Sequence, residues 1–351
     1  MPYEIDYIPV GKKKKSGDAI LLRFGNLSGP RSEQIVVVID GGFKDSGEKI
    51  VQHLTDFYNT NKVDLVISTH PDNDHISGLR NVLEKCDVTN LLMHRPWNHT
   101  NDIKNFFKNK NITTSGLEKK LEKSLQTASD LEDLATKNDV NIIEPFQGVT
   151  GFNNTMQILG PSEEYYKELI PLFRNTPAPI NALSFLAPVQ KFVKSVVNWI
   201  EDRWDIDLLN DDEDTTSPEN NTSVITLFVI DGKKLLFTGD AGKTALLKAS
   251  DYANGIGIPL NDLSFFDVPH HGSKRNLSSK VLSKVKSKTS FVSAAKKAKK
   301  HPSKKITNAL KKTGSSVFVN KGSTLRHHYN APDRPNWVSA QEEIFYDKVE
   351  E

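Results

Sequence analysis

The chain has 351 residues, 37% apolar and 26% charged, with 46 basic against 44 acidic side chains and a net charge of +2. This is the balance of a globular protein; no run approaches the ~18 apolar residues of a membrane span, and the first ten residues carry two acids and no base, unlike a secretory leader. The single cysteine, Cys86, excludes an intrachain disulfide, and a cytoplasmic protein is expected.

Apolar, β-branched runs predict strands over 3–9, 18–24 and 35–39, then a helix over 46–60 and a strand over 63–68. A helix over 76–86 and a strand over 88–93 follow. Residues 101–138, polar and rich in Lys and Glu, predict exposed helix. A short strand over 155–159, closed by Gly160-Pro161, precedes a helix around 163–173. Residues 184–204 space their apolar side chains by three and four, the mark of an amphipathic helix. The acidic stretch 205–221 reads as a loop and as the candidate for disorder. Residues 223–230 and 233–238 flank Asp231-Gly232, a hairpin signal. A helix (242–251), strand (263–268), helix (277–285), strand (289–293), helix (302–312) and strand (316–319) complete an α/β pattern. With no linker rich in Gly, Ser or Pro, residues 1–351 read as one domain, and 101–220 as a partly inserted helical and acidic segment.

Chemistry concentrates where strands end. Residues 66–79 contain His70, Asp72, Asp74 and His75 directly after the strand over 63–68. Ligands gather beyond the carboxyl ends of strands in open α/β sheets, and imidazole and carboxylate are the usual side-chain ligands of zinc, manganese and iron. A helix cap at Asp74 explains one acid, not two acids and two histidines. Asp40, followed by Gly41-Gly42, closes the strand over 35–39 and suits a ligand or an acid that orients one. Asp240 ends another strand between glycines, and His270-His271 a third. Turn chemistry asks for Gly and Asp but not for His.

In that order, His70-x-Asp72-x-Asp74-His75, Thr238-Gly239-Asp240 and His270-His271-Gly272-Ser273 resemble a metallo-β-lactamase-fold hydrolase, and within that superfamily the soluble ComEC-type branch. Gly17-Asp18-Ala19-Ile20, Asp40-Gly41-Gly42 and His301-Pro302 fit that branch too. The resemblance spans about residues 3–319. It implies a four-layer αβ/βα sandwich with two divalent ions (manganese or zinc, magnesium as a third option) where the sheets meet. It further implies His70 and Asp72 on one metal, Asp74 and His75 on the other, Asp240 bridging, and His270 or His271 completing the second. The superfamily's usual second histidine is Asp72 here. Its additional histidine before the bridging Asp is missing, since residues 101–239 hold none. That departure implies a weakly held first metal, or one completed by substrate and water.

The expected reaction is phosphodiester hydrolysis, with Asp72 or Asp74 taking a proton. A carboxylate in place of a histidine hardens the site and shifts preference from zinc towards manganese or magnesium. Lysines crowd 284–312, and Lys296, Lys297, Lys299 and Lys300 with His301 are the expected substrate contacts, which makes a nucleic acid, DNA or RNA, the expected partner. Hydrolysis of a small molecule such as a cyclic nucleotide or lactone, with the lysines merely solvated, and a catalytically reduced binding module are the alternatives.

Overall fold

The computed structural model describes residues 1–11, 15–180 and 198–350. Lys12–Lys14 of the N-terminal basic run and most of the helix expected over 184–204 lie outside them. The described part of that helix is extended: β9 (Trp199–Glu201) pairs antiparallel with β16 (Lys348–Glu350).

Two seven-stranded sheets carry the rest. The first holds β1 (Tyr3–Tyr7), β2 (Ala19–Gly25), β3 (Gln34–Gly41), β4 (Lys62–Ile67), β5 (Asp87–Leu92), β6 (Asn141–Ile143) and β15 (Leu325–Tyr329), in the order β15-β1-β2-β3-β4-β5-β6. From β3 to β6 the strands are parallel. The second holds β7 (Thr150–Gly151), β8 (Met156–Gly160), β10 (Ile225–Ile230), β11 (Lys233–Phe237), β12 (Leu263–Asp267), β13 (Ser287–Val292) and β14 (Ser316–Val319), in the order β14-β13-β12-β11-β10-β8-β7. Here β11 to β14 are parallel. In each sheet the parallel strands therefore end along a common edge.

The burial pattern follows from the sequence. Val37 and Ile39 of β3 join the core between the sheets with Tyr7, Phe237, Phe265 and Phe291. Their neighbours Val36 and Val38 face the helix Lys44–Tyr58 on the other side. A strand covered on both faces reads as a continuous apolar run rather than an alternation. Across the second sheet, Leu236 and Phe266 pack with Leu246, Leu282 and Leu310 from the helices Lys243–Gly255, Ser279–Lys284 and Lys304–Lys312. The layers are thus helix, sheet, sheet, helix. Among the described residues no helix is long and apolar enough to cross a membrane.

Two expectations are corrected and one strand is added. The helix over 76–86 is broken into Asn73–Ile76 and Leu79–Lys85, because Gly78 lies against β3, where a Cβ would meet the Gly41 carbonyl at 1.9 Å. The acidic stretch 205–221 is folded, not disordered. Asp211 accepts from Lys280 N at 3.0 Å and Asp214 from Thr244 N at 2.9 Å, so its carboxylates sit at the starts of two helices, where exposed N–H groups and the helix dipole favour negative charge. The strand β15, Leu-Arg-His-His-Tyr, went unpredicted, since its polar residues disguise a strand paired with β1.

Candidate metal centre

Each loop at the shared edge is built to aim a side chain inward. After β4 the backbone runs through Thr69 and His70 to Asp72, the N-cap position of the turn Asn73–Ile76, whose side chain makes no capping bond. Neither aspartate is spent as a cap, which removes the simplest non-metal reading of the motif. After β11, Gly239 turns the chain with φ +51°, and a Cβ there would meet Thr69 Oγ1 at 2.7 Å. Only glycine lets Asp240 approach the first sheet so closely. After β12, His270 and His271 both take left-handed backbone angles, φ 50° and 55°. Such strain in bulky residues persists only where the surroundings impose it, and it concentrates at functional sites.

Four imidazoles surround one carboxylate. His75 Nε2 lies 3.3 Å and His271 Nε2 3.9 Å from Asp240 Oδ1. His270 Nε2 lies 3.5 Å and His70 Nε2 3.8 Å from Asp240 Oδ2. Asp74, His75 and His271 offer ligand atoms all within 4.8 Å of one another. Behind each ring, Nδ1 faces an acceptor: Asp40 Oδ2 at 2.8 Å for His75, Thr69 Oγ1 at 3.0 Å for His70, Asn276 Oδ1 at 3.1 Å for His270 and Asp18 Oδ1 at 3.4 Å for His271. Asp40 also accepts from Thr69 N at 2.8 Å and Thr69 Oγ1 at 2.6 Å. Thr69 thus passes the orientation on to His70. A proton on Nδ1 leaves Nε2 as the atom each ring can offer a metal, and the four Nε2 atoms converge on Asp240. His70 Nε2, His75 Nε2, His271 Nε2 and Asp240 Oδ1 are all buried without a hydrogen-bond partner, a costly arrangement for polar atoms unless something fills the space between them.

The electrostatics follow this arrangement. Burial opposes charge on Asp240, but His270, His75 and His271 outweigh it and hold its carboxyl well below the usual range. Burial lowers His75, yet Asp240 and Asp40 raise it well above its ordinary value. His271, also opposed by burial, is pushed up to about 9 by Asp18 and Asp240. His70 goes the other way, lowered by burial and by neighbouring His75.

The other residues singled out from sequence divide. His301 stacks 5.9 Å from His270 and lies 6.4 Å from His271, so it belongs to this cluster rather than to the surface. Burial and these two histidines lower it to about 4. Lys296, Lys297, Lys299 and Lys300 are exposed on the loop leading from β13 to His301. Other lysines of the basic region are committed elsewhere: Lys284 to Asp251, Lys311 to Glu342, Lys312 to Asp202. His99 turns to Glu144 at 3.1 Å. His94 stacks on Tyr166 and lines, with Thr69 and His70, a cavity of about 20 Å³. Neither takes the place of the missing histidine.

Sequence reasoning quoted Asp18 only within Gly17-Asp18-Ala19-Ile20 and gave it no role at the site, where it is buried between His75 and His271. An acid opening the apolar run Ala19-Ile20-Leu21-Leu22 was its signal. Sequence reasoning missed Asn220, which donates to Asp240 Oδ2 at 3.0 Å, and Asn276, which holds His270 and donates to the Asp240 and Ala241 carbonyls.

The model of the metallo-beta-lactamase superfamily matches residues 31–296, which include every loop of this centre except the His301 end and Asp18. The chain belongs to the metallo-beta-lactamase superfamily. Members of this superfamily are metal-dependent hydrolases that typically bind divalent ions, often zinc, and the converging, unpartnered nitrogen and oxygen atoms of this member suit such ions. Among solved structures, a Thermotoga maritima protein assigned to the metallo-beta-lactamases is 10% identical, with 73% of this chain and 93% of that one covered and a TM-score of 0.36. A diphosphatase of the PhnP family is 11% identical over 93% and 98%, with a TM-score of 0.40. A long-form RNase Z from yeast is 11% identical over 92% of this chain and 42% of that one, TM-score 0.36. These likenesses concern the fold alone. No curated protein matches the sequence.

Proposed function

We propose that this superfamily member is a two-metal phosphodiesterase of the ComEC-type branch, acting on DNA or RNA. The observation that carries the reading is the division of histidines over the Asp240 carboxylate. His75 and His271 face Oδ1, with Asp74 beside them, while His70 and His270 face Oδ2. One metal would then be held by Asp74, His75, His271 and Asp240, the other by His70, Asp72, His270 and Asp240. In this assignment the two adjacent histidines serve different metals. His270 supplies the nitrogen that the missing histidine would have given, which argues against a reduced binding module.

Divalent ions held by these residues would supply a nucleophile at neutral pH and would neutralise charge on the phosphoryl oxygens. The protein's own groups do the rest. Asp40, Thr69, Asp18 and Asn276 keep the four imidazoles in the tautomer that presents Nε2. Asp72 or Asp74 would accept the proton of the water whose oxygen attacks phosphorus, as the ester P–O bond breaks and the alcohol oxygen leaves. His301, neutral at pH 7 and beside His270, orients the substrate, and the exposed lysines bind flanking phosphates. The mixed imidazole and carboxylate set around His70 and Asp72 suits manganese at least as well as zinc. A panel of linear, circular and single-stranded DNA, RNA, cyclic nucleotides and a lactone, each with manganese, zinc and magnesium, tests the proposal. Turnover of polynucleotides supports it; turnover confined to a lactone overturns it.

A further inference from the structure

Arg174 stands at the rim of the centre in an arrangement that structural packing alone does not require. Its backbone N–H and its Nε both donate to Glu219 Oε1, at 2.6 and 3.0 Å, and its Nη2 donates to Asp72 Oδ1. Glu219 is 1% exposed, whereas the Arg174 side chain is 64% exposed. One edge of the guanidinium is therefore clamped to a buried acid, and the remaining N–H groups face outward beside Asp72. Glu219 also precedes Asn220, which holds Asp240 Oδ2. The short helix Pro218–Asn221 thus fixes Arg174 and the shared carboxylate in one frame. A surface arginine ordinarily loses too much side-chain freedom to be held this way for a modest exposed ion pair.

We infer that Arg174 is a phosphate-binding residue of the substrate site, gripping a non-bridging oxygen of the scissile phosphate. The inference takes its ligand class from the phosphodiesterase reading. Arg174 meets Asp72 through Nη2 alone, so the planar fork, already oriented by Glu219, keeps N–H groups for an entering phosphate. Arginine suits this task because its N–H groups match two phosphate oxygens, which a lysine ammonium cannot do.

The test is titration of inorganic phosphate into manganese-loaded wild type, Arg174→Ala and Arg174→Lys by calorimetry, with metal content and melting temperature measured on each. A lost charge-assisted hydrogen bond corresponds to roughly ten- to hundredfold in affinity. Arg174→Ala should bind phosphate about tenfold or more weakly with metal content unchanged, and Arg174→Lys should recover part of the loss. On a model diester the loss should appear in KM more than in kcat. If Arg174→Ala does not fold, Arg174→Lys, which still pairs with Glu219, decides: weaker phosphate binding supports the inference and wild-type binding overturns it. Equal affinity in all three proteins, or no phosphate binding by wild type, also overturns it. Phosphate binding that depends on Arg174 in a protein that cleaves no diester would remove the phosphodiesterase reading and leave this inference standing.

Discussion

Replacing Asp40 by Asn tests how the centre is held in its working state. Asp40 is fully buried, and its Oδ2 accepts from both His75 Nδ1 at 2.8 Å and Thr69 Oγ1 at 2.6 Å, while Oδ1 accepts from Thr69 N at 2.8 Å. Its φ is +54°, an angle that asparagine tolerates better than most residues, so the backbone need not move. Asn has one acceptor oxygen and a donor NH2. If the oxygen keeps the Thr69 N–H, the NH2 faces His75 Nδ1 and forces its proton onto Nε2. That nitrogen then points a hydrogen, not a lone pair, at the space beside Asp240. The Thr69 hydroxyl loses its acceptor as well, and with it the orientation of His70. Losing such a partner behind a metal ligand typically costs 10- to 100-fold in metal affinity, or about 1.4–2.7 kcal/mol. Competition against a chromophoric chelator reads this directly, with circular dichroism to verify the fold. Affinity within twofold of wild type would refute the claim that Asp40 sets the tautomers.

Further outcomes follow from other parts of the molecule. Asp72→His should shift the metal preference of activity from manganese towards zinc; identical metal profiles in the two proteins would exclude Asp72 as a ligand. Alanine at Lys296, Lys297, Lys299 and Lys300 together should raise KM for polynucleotide and flatten the log–log salt dependence by roughly 0.7–0.9 per lost phosphate contact. Hydrolysis of bis-p-nitrophenyl phosphate by that variant should hardly change, and undiminished cutting of DNA and RNA at all salt concentrations would reduce the lysines to solvation. Far from the centre, burial alone would raise the Asp6 carboxyl, but His53 and Arg334 outweigh it and bring it down to about 2. A depressed carboxyl contributes stability above its unfolded value near 3.8 and loses it as pH falls towards 2. Asp6→Asn should therefore be less stable than wild type at pH 6, by about 2 kcal/mol, and the gap should close between pH 4 and 2 in denaturant titrations.

The candidate positions were legible because each follows an apolar strand and because histidines, which turns do not demand, accompany the aspartates. His70, His75, His270 and His271 meet both conditions; Asp40, Asp72, Asp74 and Asp240 meet only the first, since aspartate is also a turn residue. Asp18 precedes its strand instead of ending one, so the same rule passes over it. Arg174, Asn220 and Asn276 are brought in by tertiary packing, from a proline-broken segment, a short helix and a loop, and no local spacing marks them. The acidic run at 205–221 misled for a related reason. Composition counts its charges but not the two helix starts that receive them.

Metal content per chain tests the central claim most directly. Purified protein exposed to manganese or zinc, dialysed and measured by elemental analysis, should hold close to two ions per chain. Asp240→Ala, which removes the carboxylate facing all four histidines, should lose more than any single histidine variant. A folded wild-type protein that retains no stoichiometric zinc, manganese or iron would contradict the account.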